Sequence, residues 1–438
     1  MVGELDVGAD QQSETWLYND QYPGPEIRVA EGDQLQIEVE NELPEGTTVH
    51  WHGIPLPNEM DGVPGVTQEP IEPGETFTYS YPAGPAGTYI YHSHVGLQLD
   101  RALSGPLIVE EETPHVDYDR EYTFLLDDYL PEEPRLEFGQ GREGPGPDGS
   151  GPRDGRGPGR GPRNGDQGDP PHGPGMMQGR RPPYAGLLLN GRLPTDPDVL
   201  SVEEGERVRL RFINPSSATT YRVGIGGHEL TVTHADGRPV EPVTVDSFPI
   251  SMGERYDVLI EAENPGTWAI QAIPIEGDES PAEAIVQYEG VTESDSIDRP
   301  QSSGRELSYR DLRAVSPIDG IDGRPEQTFD LTLTDGMGRP GRWTINGQVY
   351  PDADPLHIRE GDHVRVRLLN RSTMIHPMHL HGHFFQVGSA VKDTVMVPPR
   401  MGRVQLDFLA DNPGDWLFHC HHTYHMELGM ARVFEYTQ

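Results

Sequence analysis

The chain has 438 residues, with 72 acidic and 33 basic side chains and a formal net charge of −39 at pH 7. This charge disfavours binding to nucleic acid, because phosphate backbones carry the same sign. The single cysteine excludes an internal disulfide, and no apolar run approaches the roughly 20 residues that cross a bilayer. Lys392 is the only lysine, and an acidic surface almost without lysine indicates a halophilic protein. The first residues show neither a basic start nor an apolar stretch, so no signal peptide is predicted.

A strand–turn–strand unit occurs three times along the chain. Each copy combines a short strand, a turn at Glu-Gly-Asp or Glu-Gly-Glu, and a second strand with alternating apolar residues that ends in Asn. The copies are 27–41 (IRVAEGDQLQIEVEN), 200–214 (LSVEEGERVRLRFIN) and 356–370 (LHIREGDHVRVRLLN). In the third copy, the apolar face consists of Val364, Val366 and Leu368. Three copies at wide spacing predict three homologous all-β domains, each a Greek-key β-sandwich.

The spacing of the copies predicts where the domains begin and end. The predicted domains are residues 1–115, 184–290 and 325–438. Residues 116–183 are predicted to form a connector, and its part from Phe138 to Pro183 is rich in Gly, Pro and Arg. That part cannot bury enough apolar surface to offset its ordering entropy, so it is predicted to be a disordered loop. Residues 291–324 are predicted to be a linker.

Twelve of the 18 histidines lie in four tight groups. Side chains at i and i+2 of a strand point to the same face, so a His-x-His pair presents two imidazoles to one site. The sequence contains four such pairs, two in the first domain and two in the third: His50/His52, His92/His94, His379/His381 and His419/His421. Eight imidazoles are too many for one metal ion and suit a cluster of two or three.

Cys420 lies between His419 and His421, so its thiolate is predicted to point to the opposite face of that strand. There it can meet His376, His425 and the sulfur of Met430. Two imidazoles, one thiolate and a weak thioether are typical of a blue-copper electron-transfer site. Zinc is disfavoured, because the cysteine is alone and no Cys-x-x-Cys pair is present. The strand would therefore join a one-electron site to a multi-metal cluster.

The motifs HxHG, HxH, HPxHxHGH and HCHxxxHxxxxM follow one another in this order, and the sequence thereby resembles the multicopper oxidases of the three-domain bacterial and archaeal laccase type. The resemblance implies three cupredoxin-like domains, with no copper in the middle one, and four copper ions per chain. It implies a type 1 copper held by His376, Cys420 and His425 with Met430 as axial ligand. It assigns the other three ions to the following sets: type 2 to His50 and His379, one type 3 to His52, His92 and His421, and the other type 3 to His94, His381 and His419.

The resemblance further implies a laccase-like enzyme that oxidises phenolic and aromatic donors one electron at a time and reduces O2 to water. Cys420 and its neighbours would carry the electrons between the two sites. Met430 as axial ligand should lower the type 1 potential. Resemblance also implies a protein on the extracellular or cell-surface side, and we expect a monomer.

Two alternatives to the laccase hypothesis stay open. A cuprous oxidase for copper tolerance is favoured by Met374, which stands where copper-efflux oxidases place a Cu(I)-binding methionine, although Ser372 replaces their usual Asp. The Gly/Pro/Arg-rich loop also holds possible Cu(I) ligands in His172, Met176 and Met177. A non-enzymatic copper-binding or scaffold protein on the same fold would have lost the ligands, which this chain keeps.

Reduction of O2 consumes protons, and Asp61 stands eleven residues after His50, a place at which the resemblance implies an Asp that assists proton supply. Many bacterial relatives carry Glu at the position of Met426, and Glu427 is predicted to point elsewhere, so a second donor is not identified. Asp393-Thr394-Val395 is expected to hold a type 1 loop, and Arg255-Tyr256-Asp257 to begin a strand of the middle domain. The remaining histidines are predicted to be structural: His115, His228, His234, His357, His363, His383 and His422.

Overall fold

The computed structural model describes residues 1–136, 181–291, 297–301, 304–336 and 341–437. Strands dominate these ranges, and the helical elements in them are two 3-10 turns, Asn58–Met60 and Gln98–Arg101, and the short α-helix α1, Thr423–Glu427. Within the same ranges, no helix has the length and apolar character needed to cross a membrane. The predicted all-β fold is confirmed. The predicted disordered loop falls almost entirely on residues 137–180, outside the described part of the chain.

The first domain contains eight strands in two sheets and a separate hairpin. Its strands are β1 (Val2–Asp6), β2 (Gln12–Trp16), β3 (Ile27–Ala30), β4 (Gln34–Glu40), β5 (Val49–His52), β6 (Thr76–Pro82), β7 (Gly87–Ser93) and β8 (Ser104–Glu110). One sheet has the order β3-β8-β7-β5, the second pairs β4 with β6, and β1 pairs with β2. The first predicted unit is β3 and β4, and β3 runs parallel to β8, the last strand of the domain.

The middle domain is a sandwich of a six-stranded and a five-stranded sheet. Its strands are β9 (Arg120–Tyr129), β10 (Gly186–Leu189), β11 (Val199–Val202), β12 (Arg207–Ile213), β13 (Tyr221–Ile225), β14 (Leu230–Ala235), β15 (Arg238–Val245), β16 (Ser247–Ile250), β17 (Arg255–Glu261), β18 (Thr267–Pro274) and β19 (Ala282–Tyr288). The sheet orders are β10-β9-β12-β17-β14-β15 and β11-β19-β18-β13-β16. Here β11, the first strand of the second unit, runs parallel to β19.

The third domain repeats this arrangement. Its strands are β20 (Gln327–Thr334), β21 (Thr344–Ile345), β22 (Leu356–Ile358), β23 (His363–Asn370), β24 (His376–Leu380), β25 (Phe385–Val387), β26 (Ala390–Lys392), β27 (Thr394–Val397), β28 (Gly402–Leu409), β29 (Asp415–Cys420) and β30 (Ala431–Tyr436). The sheet orders are β21-β20-β23-β28-β25-β26 and β22-β30-β29-β24-β27. Again the first strand of the unit, β22, runs parallel to the last strand, β30.

The Asn that ends each unit has the same role in all three domains. Asn370 donates its side-chain amide to the carbonyls of Met374 and Val397, and its Oδ1 accepts the N–H of Ser372. Asn41 and Asn214 likewise donate to two carbonyls and accept the N–H two residues ahead. A buried amide thus satisfies main-chain groups where the strand turns away, which explains why Asn recurs there.

The structure differs from the predicted domain limits in two places. The range 116–183, predicted to be a connector, contains β9, which runs parallel to β12 and antiparallel to β10 inside the middle domain. The range 291–324, predicted to be a linker, includes Leu307 and Leu312, whose buried side chains belong to the core of the middle domain. Both segments lie against the middle domain because their apolar residues complete its sheet and core.

Each domain has its own apolar core, and the first and third domains also pack against each other. Trp416, on β29 of the third domain, is fully buried in the core of the first domain beside Trp51 and Tyr79. Its indole N–H donates to the carbonyl of Asn412 at 2.7 Å. This packing fixes β29, and with it Cys420, against the first domain.

Candidate metal centre

Strand register brings the His-x-His pairs of each domain side by side. In the first domain, His50 on β5 lies opposite His92 on β7. In the third domain, His379 on β24 lies opposite His419 on β29. The second histidine of three of the pairs follows the end of its strand, and all eight side chains are at most 7% exposed. The two domains therefore present two facing layers of buried imidazoles.

These layers meet in one cluster between the first and third domains. The rings of His52 and His379 stack at 3.7 Å between centroids, and those of His50 and His381 lie 3.9 Å apart. His381 Nε2 lies 3.0 Å from His419 Nε2, and the His421 ring lies 4.9 Å from His52. Potential ligand atoms lie within 4.8 Å of one another in the groups His50/His379/His381, His50/His52/His92 and His94/His381/His419. The predicted eight-histidine cluster is present as one continuous site.

Main-chain carbonyls fix which ring nitrogen faces the cluster. The Nδ1 atoms of His50, His92, His379 and His419 lie 2.8–2.9 Å from carbonyl oxygens, which can only accept, so these Nδ1 atoms carry the proton. Their Nε2 lone pairs are left for a metal. The Nε2 atoms of His50, His92 and His379 are buried and have no hydrogen-bond partner among the described residues. Buried polar atoms without partners are rare, and a bound metal accounts for them.

Burial lowers the pKa of several cluster imidazoles and so favours their neutral form. Desolvation lowers the pKa of His92 to about 3, with a further contribution from the neighbouring His50. The pKa values of His52, His94, His381, His419 and His421 are lowered well below the ordinary range for the same first reason. A neutral imidazole is the form that binds a metal.

The second predicted site lies on the opposite face of β29. Cys420 Sγ is 3.5 Å from His376 Nδ1 and 3.6 Å from His425 Nδ1, and the two nitrogens are 3.1 Å apart. A point equidistant from the three atoms lies about 2.0 Å from each, close to the bond lengths of a first-row metal to nitrogen and sulfur. All three residues are fully buried. One thiolate and two imidazoles at this spacing fit a single copper ion.

Local hydrogen bonds hold this second site. The Oγ of Ser372 lies 2.8 Å from His376 Nε2, which leaves His376 Nδ1 for the metal. Met430 is fully buried, its N–H donates to the carbonyl of His425, and its carbonyl accepts the N–H of Cys420. The segment between Cys420 and Met430, which contains α1, therefore folds back so that the main chain of Met430 lies beside that of Cys420. The axial role of Met430 remains a prediction.

The comparisons with known proteins agree with this geometry. Models of the multicopper oxidase family match residues 2–114, 166–291 and 323–438. Multicopper oxidase MmcO of Mycobacterium tuberculosis is 37% identical over 445 residues, covering 99% of this chain and 85% of that protein. The chain belongs to the multicopper oxidase family. Copper resistance protein A of Escherichia coli is 29% identical, covering 98% of this chain and 91% of that protein. A solved laccase of Botrytis aclada superposes with a TM-score of 0.77 at 26% identity, covering all of this chain and 86% of that one.

Family membership makes this chain a copper-dependent oxidoreductase that uses O2. The predicted cupredoxin-like architecture and the recognition as a multicopper oxidase are confirmed. The donor atoms described above fit copper at both sites: nitrogen donors alone in the cluster, and nitrogen with sulfur at Cys420.

Asp61 of this multicopper oxidase lies beside the cluster, where the sequence placed it. Its Oδ2 accepts the Nδ1–H of His381 at 2.9 Å, and its main-chain carbonyl accepts that of His50 at 2.8 Å. Asp61 is 1% exposed, and its Oδ1 lies 3.2 Å from His50 Nδ1. Gly62 permits this position, because a Cβ there would lie 2.0 Å from the carbonyl oxygen of Val49.

Asp393 and Thr394 lie at the cluster of the multicopper oxidase, and the expectation that they hold a type 1 loop is wrong. Asp393 Oδ1 is 3.1 Å from His52 Nε2, and Thr394 Oγ1 is 3.1 Å from His379 Nδ1. The reason is register: β27 pairs with β24 so that Thr394 lies opposite His379, at the cluster end of the strand. A signal was available in the charged pair Lys392-Asp393, which interrupts an apolar stretch of the sequence.

A narrow opening leads from the cluster past α1. It has room for about one water molecule, with a volume of about 10 Å³, and its lining includes His94, His421, Thr423 and Met426. Glu427 is not part of this lining, and burial raises the pKa of its carboxyl. Of the two carboxylates considered in the sequence as proton donors, Asp61 and Glu427, Asp61 is therefore the one that contacts cluster ligands.

Six of the seven histidines predicted to be structural have hydrogen-bond or ion-pair partners outside the predicted ligand side chains. His383, for example, contacts the carbonyl of His381 and the Tyr436 hydroxyl, and His363 contacts Asp407. The others pair as follows: His115 with the Val240 carbonyl, His228 with Tyr288, His234 with Glu111 and His357 with Glu435. His422 differs, because its ring stacks on His425 at 3.7 Å and finds no hydrogen-bond partner in the described part of the chain.

Proposed function

We propose that this multicopper oxidase is laccase-like: it takes single electrons from phenolic or aromatic donors and reduces O2 to water. The observation that carries the proposal is the placement of Cys420 between two cluster ligands. Its sulfur lies 3.5 and 3.6 Å from His376 and His425, while the adjacent His419 and His421 belong to the cluster. A covalent path of one residue therefore joins the two sites.

The proposed metal content is four copper ions per chain. His376, Cys420 and His425 would hold one ion, with Met430 as its axial ligand. The eight cluster histidines would hold the other three, in the sets that the family resemblance assigns. Copper at the first site supplies one-electron chemistry, and copper in the cluster supplies four-electron reduction of O2. A non-enzymatic scaffold is disfavoured, because every ligand is retained and buried.

The protein's own part is to exclude bulk water and to bring protons. Burial lowers the pKa of cluster histidines such as His92 and His381, so these rings do not compete for the protons that O2 reduction consumes. Asp61 accepts the Nδ1–H of His381 at its Oδ2, so its Oδ1, which lies 3.2 Å from His50 Nδ1, is the oxygen that can take up a proton and release it toward the cluster.

The test is to load the purified protein with copper and measure its absorption, copper content and O2 uptake. We expect an intense band at about 600 nm, about four copper ions per chain, and O2 uptake driven by 2,6-dimethoxyphenol. A Cys420→Ser variant should lose the band and the uptake while the cluster histidines still bind copper. A blue protein that consumes no O2 with any phenol or aromatic amine would contradict the laccase proposal.

Cu(I) oxidation for copper tolerance is the second candidate function. Two observations favour it: the 29% identity to a protein named copper resistance protein A, and Met374, which is half-buried against the core that contains the Cys420 site. If Cu(I) is the natural donor, replacing Met374 with Leu should lower turnover with Cu(I) at least tenfold and leave phenol turnover within twofold. Equal effects on both donors would refute this alternative.

We also propose that the enzyme works as a monomer on the extracellular or cell-surface side, at high salt. The support for the salt preference is the net charge of −39 and the single lysine, which is fully buried and so absent from the surface. Ultracentrifugation in molar KCl would test the oligomeric state.

A further inference from the structure

We propose that the middle domain, which supplies no metal ligand, positions ligands of the eight-histidine cluster through the buried ion pair of Arg255 and Asp393. This deepens the proposed function and rests on the cluster being a copper site. At the sequence level, the middle domain was expected only to hold no copper, and Arg255 only to begin a strand. The structure instead places the side chain of Arg255 between the cluster and the middle domain.

Asp393 contacts two cluster ligands that come from different domains. Its Oδ1 lies 3.1 Å from Nε2 of His52, in the first domain, and 3.5 Å from Nδ1 of His379, in the third. Its main-chain carbonyl accepts the Nδ1–H of His379 at 2.9 Å. Thr394 Oγ1 reaches the same two nitrogens, at 3.2 Å and 3.1 Å. The orientation of the stacked His52 and His379 rings thus depends on one short segment.

This contact sets which nitrogen His52 offers to a metal. Because Asp393 and Thr394 occupy its Nε2, the Nδ1 atom is left without a partner in the described part of the chain. The neighbouring His50 is oriented the other way, with Nδ1 bound to a carbonyl and Nε2 free. Losing the carboxylate would remove one of the two side-chain contacts that orient the His52 ring.

Arg255 holds the carboxylate in place with a two-pronged contact. Its Nη1 and Nη2 lie 2.7 Å and 2.6 Å from the two oxygens of Asp393, and both residues are at most 1% exposed. Two further N–H bonds, on Nη1 and Nε, donate to the carbonyls of Gly253 and Thr88. Only the planar fork of arginine can make the paired contact, so a lysine would not replace it.

Two more features of the middle domain support the same role. Asp236 accepts the main-chain N–H groups of Asp393 and Thr394 at 3.2 Å each, and Lys392 at 3.1 Å. The backbone at Gly253 touches the cluster directly, since a Cβ there would lie 2.9 Å from ring atoms of both His52 and His421. The middle domain therefore forms one wall of the cluster and clamps the segment that orients its ligands.

The experiment compares Asp393→Asn with Asp257→Asn, each loaded with copper and titrated with a chelator. Asp257 is a matched control, because it is 1% exposed and pairs with Arg209 of the same domain at 2.6 Å, yet contacts none of the cluster histidines. We expect Asp393→Asn to lose cluster copper at a 10–100-fold lower chelator concentration than wild type. Its absorption at about 600 nm per chain should be unchanged, because Asp393 does not contact the Cys420 site. Asp257→Asn should lower the melting temperature without changing copper retention.

Two gentler variants keep the test decisive if Asp393→Asn does not fold. Thr394→Val removes only a hydroxyl and should cause a smaller, selective loss of cluster copper. Arg255→Lys keeps the charge and should still weaken copper retention. Equal copper retention in all variants and wild type, or equal loss in Asp257→Asn, would overturn the inference. If the wild-type protein binds cluster copper but oxidises no phenol, the laccase proposal fails while this inference can still be judged.

Discussion

Replacing Asp61 with Asn should slow O2 reduction without affecting electron entry. The change keeps the side-chain size and the main-chain carbonyl that holds His50 at 2.8 Å. It removes the charge that faces His381 Nδ1 at 2.9 Å and the oxygen that can carry a proton. Loss of a general acid typically costs 10²–10⁴ in rate, a rise of about 3–5 kcal/mol in the barrier. Losing one charge-assisted hydrogen bond accounts for only about 1.5–3 kcal/mol of ligand stabilisation.

The assay separates the two half-reactions by stopped flow. Anaerobic reduction by a phenol, followed as bleaching at about 600 nm, should proceed at the wild-type rate in Asp61→Asn. Reoxidation by O2 should be at least a hundredfold slower. Glu427→Gln is the control, because that carboxyl lies outside the opening to the cluster and should leave both rates unchanged. Reoxidation of Asp61→Asn within threefold of wild type, or equal slowing in Glu427→Gln, would refute the role assigned to Asp61.

Three further predictions concern the metal sites and the surface. Met430→Leu should raise the type 1 potential, by about 59 mV for each tenfold loss in preference for the oxidised metal, as measured by redox titration. The copper-free protein should lose stability as pH falls from 6.5 toward 3. In this range His92 and His376 bind protons in the unfolded chain, but not in the folded protein, where burial lowers their pKa to about 3. Below pH 6.5, each such histidine lowers the free energy of unfolding by about 1.4 kcal/mol per pH unit. Melting temperatures at pH 7.5 and 5.5 test this, with the copper-loaded protein as the control. Melting temperature should also rise between 0.1 M and 1 M KCl, where the screening length falls from about 10 Å to 3 Å, whereas no change would contradict a halophilic surface.

The parts of the site that the sequence predicted are those set by strand periodicity. His50 and His52 share a face because they are two residues apart, and Cys420 faces away from His419 and His421 for the same reason. The eight-histidine cluster and the His376–Cys420–His425 group both follow from this rule applied to four short motifs. The strand–turn–strand repeat was equally visible, since alternating burial of Val364, Val366 and Leu368 is a local property.

The parts that the sequence did not predict depend on pairing between distant segments. β9 joins the middle domain through β12, about 90 residues ahead, and nothing within residues 120–129 identifies that partner. Asp393 contacts His52 across 341 positions and Arg255 across 138. Neither motif spacing nor periodicity encodes such contacts, so Asp393 was assigned to the wrong copper site and Arg255 to the fold alone.

The energetics of the buried charges argue that the Arg255–Asp393 pair serves the cluster rather than stability. Removing two charges from water costs several kcal/mol per ion, and apolar replacements of buried ion pairs are often neutral or stabilising. Arg255 also affects the charge of Asp393. Burial alone would raise the pKa of the Asp393 carboxyl, but Arg255 and hydrogen bonds from His379 and His52 hold it well below its ordinary range. Asp393 thus stays an anion whose oxygens must accept from the two histidines, which fixes both rings. An apolar pair of the same volume could fill the space between the domains, but it could not choose which nitrogen of His52 faces the metal.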